Sequence, residues 1–388
     1  MERTLEAMRR YIFHHRKDML RLWEELVNTE SGPRQKEGVD AVIRILRREM
    51  TAAGISSRVI PMPAAGDILI GEWGNPSGKP PFLLIGHMDT VFEPGDAQKN
   101  PFRIDEDGKA HGPGVLDMKG GVVMALYAVK ALAHIRWHNR PIKIILAGDE
   151  ETMHMSSNAK AAMAEEMQGA AAAFNFETGY PENAVVIGRM GGGIAQLDIT
   201  GVAAHSGLAP DKGRSAILEA ARIVMELEAL NDIPRKKLIN CGRIQGGIGQ
   251  NTIPDSCTVS IGYRFPSYEI DQEISQAIDA AASRHFVENT TIRRTQKMHI
   301  DCMETTSGVS RLYEHLRKTA ELCGYGPLKA LCVNGGSDSS IAVAAGVPTV
   351  CGMGVSGQYN HTEREYAEVE SLFDRCFLAA AAISLLDW

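Results

Sequence analysis

The chain has 388 residues, longer than one hydrophobic core usually grows, so two domains are expected. It is 44% hydrophobic and 23% charged with no low-complexity tract, which excludes a disordered or fibrous chain. A formal net charge of -7 argues against nucleic acid or an anionic membrane as the main partner, because both are bound through Lys and Arg, and leaves a small molecule as the expected one.

Residues 4–29 place Leu5, Met8, Ile12, Met19, Leu22 and Leu26 at helical spacing and predict one amphipathic helix, with a second at 37–53. The charged opening (Glu2, Arg3, Arg9, Arg10) has no apolar core of a secretory signal. Short apolar strands at 68–73, 82–85, 142–146 and 171–176 then alternate with helices at 120–134 and 158–167. That alternation predicts an α/β catalytic domain on a mixed, mostly parallel sheet with helices on both faces, whose ligands bind beyond the carboxyl ends of the strands.

The texture changes at Gly188-Arg189-Met190-Gly191-Gly192-Gly193. Strands are expected at 194–199, 237–244, 256–265 and 290–296, with helices at 215–230 and 268–285, which makes an α+β, ferredoxin-like module. Alternation resumes with helices at 309–323, 339–345 and 369–386 and a strand at 348–352. The division expected is therefore 1–189 and 304–388 for one catalytic domain, with 190–303 inserted between them. No run approaches the roughly 18 apolar residues of a membrane span. Seven cysteines without a CxxC pair fit a reduced interior, so a cytoplasmic location is expected.

Acids and histidines cluster in short motifs just after the apolar runs or in Gly-rich turns. In His87-Met88-Asp89 the two polar side chains face one side of extended backbone, so His87 can ligate a metal while Asp89 fixes the ring; a surface pair is the plainer alternative. Asp117 follows Gly112-Pro113-Gly114 and precedes Lys119-Gly120-Gly121, where a carboxylate can bridge two cations about 3.5–4 Å apart or simply cap the next helix. Asp149-Glu150-Glu151 ends a buried-looking strand, where three acids repel unless cations are present. With metals there, Glu151 coordinates and Glu150 serves as general base; otherwise this is a solvated acidic loop. Glu177 and His361 taken singly read as structural residues.

Together, Asp117, Glu151 and Glu177 balance two divalent cations with a hydroxide between them, and His87 and His361 complete the coordination neutrally. Carboxylate and imidazole without thiolate suit zinc, and also cobalt or manganese. That reading makes the protein a hydrolase.

The order of these motifs resembles the M20 family of zinc metallopeptidases, within it the glutamate carboxypeptidase-like branch. The matching stretches are Gly86-His87-Met88-Asp89-Thr90, Gly112-Pro113-Gly114 through Gly121, Asp149-Glu150-Glu151, Ala204-His205-Ser206-Gly207, Asn251-Thr252-Ile253-Pro254-Asp255 with Arg264, Gly335-Gly336-Ser337-Asp338, and His361 with Glu365-Tyr366. The resemblance implies two Zn2+ per subunit: His87 and Glu177 on one, Glu151 and His361 on the other, Asp117 bridging and Glu150 as base beside Asp89. It implies that the inserted module is a lid that dimerises, that His205 stabilises the oxyanion in the partner subunit's site, and that Asn251, Arg264, Gly335 and Gly336 bind substrate. Expected substrates are short peptides or N-acyl amino acids with a free carboxylate. An acetylornithine deacetylase or succinyl-diaminopimelate desuccinylase type of deacylase is the alternative, and a catalytically silent carboxylate receptor a more distant one. Relatives usually continue the double-Glu motif with Gly and Ser, whereas this chain runs Thr152-Met153-His154-Met155-Ser156-Ser157. The stretch 178–183 also lacks the lysine of the glutamate-specific enzyme, so a preference for glutamate does not carry over.

Overall fold

The computed structural model describes residues 2–74 and 78–388. They form two compact units: one of Met1–Ile187, Thr305–Cys332 and Ser337–Trp388, the other of Gly188–Glu304 and Val333–Gly336.

In the first unit the opening residues make two helices, α1 (Glu2–His14) and α2 (Arg16–Val27), where the periodicity predicts one. The break falls at His15, whose φ of -94° and ψ of 16° leave the helical region while its Nδ1 competes for the carbonyl of Tyr11. Helix α3 (Lys36–Ala52) buries Val39, Val42, Ile43, Leu46 and Met50, a stripe at three- and four-residue spacing that faces the core.

Strands β1 (Ser56–Ile60), β2 (Gly66–Trp73), β3 (Phe82–His87), β4 (Ile142–Gly148) and β5 (Ala172–Asn175) join the short strand Thr349–Val350 in a six-stranded sheet, in the spatial order β1, β2, β4, β3, β5, Thr349–Val350. The last four run parallel to one another, and β1 and β2 are antiparallel additions. β1 escapes a hydrophobicity reading because Ser56-Ser57-Arg58 is polar and it lies at the sheet edge. All six residues of β3 are buried, as expected of a strand covered on both faces. Helix α4 (Gly120–His134) has 12 of its 15 residues buried, so it is a central rather than a surface helix. Its close approach depends on Gly121, where an added Cβ would lie 1.9 Å from the carbonyl oxygen of Phe176. Helix α5 (Ala159–Met167) and helix Ser339–Ala344 pack on a second cluster with Ile68, Ile85 and Ala173.

The second unit contains a sheet whose main path is β7 (Leu238–Gly246), β8 (Ser256–Phe265), β6 (Ala184–Thr200) and β9 (Thr291–Ile300), all antiparallel; β6 begins in the first unit and enters the second at Gly188. Helices α6 (Ala216–Glu228) and α7 (Tyr268–Ser283) pack Ala220, Ile223, Ile274 and Ile278 into its core. Both start at an extended serine: Ser215 accepts from the Leu218 N–H and Ser267 from the Ile270 N–H. Among the described residues no helix is long and apolar enough to cross a membrane.

Replacing Gly121 with Ala forces α4 away from Phe176, and urea denaturation is expected to show a stability loss of about 1–3 kcal/mol, the usual cost of overpacking a core.

Candidate metal centre

The parallel register of the sheet builds the site. His87 ends β3 opposite Ala147 of β4, and Ile85 of β3 lies opposite Asn175 of β5. The residues just beyond these positions, Asp149-Glu150-Glu151 and Glu177, therefore emerge beside His87. Asp117 arrives from a tight turn at 115–119 that leaves Gly114, which holds a φ of +71° that favours glycine. His361 comes from the loop between the paired strands Gly357–Gln358 and Tyr366–Glu368, the second of which pairs with Lys109–His111.

Asp117 is the hinge of the cluster. Its Oδ1 lies 3.2 Å from His87 Nε2, and its Oδ2 lies 3.2 Å from His361 Nε2. Glu177 Oε1 is 3.5 Å from the same His87 nitrogen, and Glu151 Oε2 is 3.3 Å from the His361 nitrogen. Two triads result, His87–Asp117–Glu177 and Asp117–Glu151–His361, each with its ligand atoms within 4.8 Å of one another. The N-cap position of the helix that follows is Lys119, and the Asp117 carboxylate is directed instead to His87, His361 and Asn360, against the capping alternative.

The electrostatics suit cations. Burial pushes the Glu151 carboxyl up to about 10; His87 pulls the other way, and the charges of Asp117, Glu150 and Asp89 add to the rise. Burial likewise raises Glu150 well above the usual carboxylate range, with Glu177, Asp338 and Asp89 adding to it against His87. Burial disfavours the His87 cation, yet hydrogen bonds with Asp117, Asp89 and Glu177 raise its pKa overall. Burial works against ionised Asp117 too, but His361, His87 and Asn360 hold it below its usual range. Glu151 Oε1 is buried with no hydrogen-bond partner. Three carboxylates, two imidazoles and an orphaned carboxylate oxygen fit two divalent cations, which would remove the repulsion that the protein groups alone leave.

Residues around the cluster fix its backbone. Asp89, fully buried, accepts hydrogen bonds from the N–H groups of Glu150 (3.2 Å) and Glu151 (2.9 Å), while its main-chain oxygen lies 3.0 Å from His87 Nδ1. It therefore holds the acidic turn as well as the ring. Sequence reasoning gave Glu365 no role, yet its Oε1 accepts from the N–H groups of Leu116 (2.7 Å) and Asp117 (3.0 Å), pinning the bridging residue. Burial lifts Glu365 to about 8, the Asp117 charge adding to the effect. Asn360 donates to Asp117 Oδ2 at 3.0 Å, and its place beside His361 was the available signal. His154, noticed in the sequence only as a departure, bridges Asp149 Oδ1 (2.7 Å) and Asp338 Oδ1 (2.8 Å). Asp149 is thus neutralised by a histidine rather than by the metal pair invoked for the whole acidic motif.

The other candidate residues lie in the second unit. His205 belongs to a two-residue strand paired with Thr252–Ile253, and Asn251 adjoins it, its carbonyl accepting from the Ser206 N–H. His205 is exposed, and its Nδ1 accepts from the N–H groups of Gly207 and Leu208, both at 3.2 Å, which leaves the proton on Nε2. Arg264 is exposed at the end of β8 and donates to the carbonyl of Tyr263. The carbonyls of Gly335 and Gly336 accept from the Arg189 guanidinium.

Carboxylates and imidazoles gathered past the carboxyl ends of a mixed sheet form the donor set of a metal-dependent hydrolase. Residues 83–384 match peptidase family M20/M25/M40, and the chain belongs to that family. It is accordingly a hydrolase of peptide or amide bonds, and the family implies divalent metal ions. Over 372 residues it is 27% identical to carboxypeptidase G2 of Pseudomonas sp. (strain RS-16), a match covering 94% of this chain and 88% of that one. It is 29% identical over 220 residues to acetylornithine deacetylase of Myxococcus xanthus, covering 53% of this chain and 55% of the relative. In fold it is similar to aminopeptidase PepT from Bacillus cereus ATCC 10987, with a TM-score of 0.75 at 22% identity over 95% of this chain and 98% of that one.

The raised pKa values predict how the metal-free protein responds to pH. Glu151 and His87 keep protons in the folded state that the unfolded chain gives up earlier, so folded stability falls as pH rises from about 4.5 toward about 10. Thermal scans of chelator-treated protein are expected to show Tm decreasing across this range. Calorimetric titration with Zn2+ at pH 7.5 is expected to release protons, detected as a dependence of the heat on buffer ionisation enthalpy.

Proposed function

We propose that the protein is a dinuclear zinc hydrolase of carboxypeptidase type, cleaving an amide or peptide bond next to a free carboxylate in short peptides or N-acyl amino acids. The observation that carries this reading is the split attention of Asp117, one oxygen toward His87 and the other toward His361. His87, Asp117 and Glu177 would hold one ion, and Asp117, Glu151 and His361 the other. Bound divalent ions supply Lewis acidity toward a carbonyl oxygen and a water nucleophile at neutral pH. The similarity to carboxypeptidase G2 across most of both chains supports the substrate class.

Within this reading Glu150 is the general base: its carboxylate takes a proton from the attacking water and returns it to the leaving amine nitrogen. Burial that raises its proton affinity makes Glu150 a stronger acceptor once ionised, a state that adjacent divalent cations would favour. Asp89 keeps Glu150 and Glu151 in register by accepting from both of their N–H groups. His205 is assigned the developing oxyanion, since its Nε2 carries the proton while Nδ1 is occupied by backbone donors. Asn251 and Arg264, with the backbone at Gly335 and Gly336, are assigned to substrate, an arginine fork being suited to a carboxylate.

A homodimer formed through the second unit is part of the proposal, and exposed apolar side chains along β7 and α6 support it. β7 is a sheet edge, and Ile244 and Ile248 (84% exposed) on or beside it accompany Ile217, Leu218 and Met225 (68% exposed) of α6. An unpaired strand edge flanked by apolar side chains is a ready surface for a second copy. A cytoplasmic location is retained in the proposal, supported by seven cysteines that form no disulfide.

Glu150→Gln is expected to lower kcat by about 10²–10⁴-fold while zinc content measured by elemental analysis stays near two equivalents; turnover at the native rate would sink the assignment. A panel of C-terminally varied dipeptides and N-acyl amino acids separates the peptidase from the deacylase. Sedimentation velocity is expected to turn a dimer into a monomer on Met225→Asp combined with Ile248→Asp.

A further inference from the structure

The turn that carries Glu150 and Glu151 is unusual in how it is held. After the two acids the chain passes through Met153 (φ 53°) and His154 (φ 54°), two consecutive non-glycine residues in the left-handed region. Such residues persist only where their surroundings fix them. Here Met153 N–H donates to the Glu150 carbonyl at 2.6 Å and His154 N–H to the Asp149 carbonyl at 3.2 Å, folding the segment back on the strand end. The His154 side chain then does what its backbone strain requires. It is buried, with Nδ1 2.7 Å from Asp149 Oδ1 and Nε2 2.8 Å from Asp338 Oδ1. Asp149 Oδ2 is taken by the Ser157 hydroxyl at 2.5 Å, so the first acid of the motif is satisfied on both oxygens.

An ionised carboxylate only accepts, and a neutral imidazole has one N–H, so with both carboxylates ionised the two ring contacts are both hydrogen bonds when the ring is doubly protonated. Burial opposes that cation, but Asp338 and Asp149 overcome it and push the His154 pKa up to about 11. A charge so placed leaves Asp149 and Asp338, both buried, without net repulsion.

We infer that His154 is a positioning residue for hydrolysis: as an imidazolium tying Asp149 to Asp338, it locks the turn that presents Glu150 and Glu151. Asp89 grips that turn through its N–H groups on one side, and His154 closes it on the other. The inference rests on the reading of Glu150 as base and Glu151 as ligand. Release of the strap moves both acids at once, and a displacement of about 1 Å in a catalytic group costs on the order of 10²-fold in rate.

The test uses the full chain. In metal-free protein labelled with 15N-histidine, the resonance that disappears in His154→Gln is expected to report a doubly protonated ring up to pH 9; deprotonation in the ordinary imidazole range overturns the inference. In zinc-loaded protein, His154→Gln and Asp338→Asn are each expected to lower kcat about 10–100-fold with KM within twofold, with the double variant no worse than either single one. A kcat within twofold of native in a folded single variant overturns it, and Asp338→Asn supplies that measurement should His154→Gln not fold. Glu150→Gln is run alongside: its retained turnover would remove the base assignment while leaving the ring's protonation as measured, whereas an inactive Glu150→Gln beside a fully active His154→Gln removes only the strap.

Discussion

Buried negative charge is the constraint around which the first unit is arranged. Asp117, Glu150, Glu151 and Glu177 meet past the ends of three parallel strands, and desolvation alone would keep some of them protonated. Every nearby structural choice answers that problem. Glu365 and Asn360 fix Asp117 from the main chain and the side chain, Asp89 spends its oxygens on backbone N–H groups, and histidines face the acids from opposite sides. Divalent cations, which the family implies, would complete what these contacts begin.

The acidic motif at the end of β4 divides its labour in a way its three adjacent letters conceal. Asp149 turns to His154 and Ser157, Glu151 toward His361, and Glu150 is left in the cluster with its pKa raised. Three successive residues of like charge thus reach three different environments, because the chain leaves extended geometry at Asp149 and winds a single tight turn. The same sequence on a continued strand would put Asp149 and Glu151 on one face.

Much of this was legible in the sequence because the relevant signals are local. Strands β3 and β4 announce themselves as apolar runs and α4 by its Gly-Gly start; His87, Glu151 and Glu177 follow apolar runs, whereas Asp117 sits in the Gly-rich turn before α4 and His361 gains meaning only from the combination of motifs. What was hidden depends on tertiary pairing. Polar β1 gains its place from β2 rather than from hydrophobicity, and the split of the first helix at His15 turns on one side-chain contact. Glu365 and Asp338 look like ordinary acids until the fold sets the first against the backbone of Asp117 and the second against His154, 184 positions away. His154 did leave a trace, as a bulky residue where glycine or serine was expected, but its meaning required both partners in space.

The loop that bears His361 has a consequence for how the protein comes into being. Glu365 contacts Leu116 across 249 residues of chain, and His361 approaches Asp117 over a similar span. Contacts at such separation carry a loop-closure entropy that local contacts do not, and they raise the contact order of the fold. On the proposed ligation Asp117 reaches its final place only when this late segment docks, because Glu365 holds its N–H and Asn360 its carboxylate. Both proposed cations share Asp117, so neither half of the centre is complete before residues 360–365 are in place.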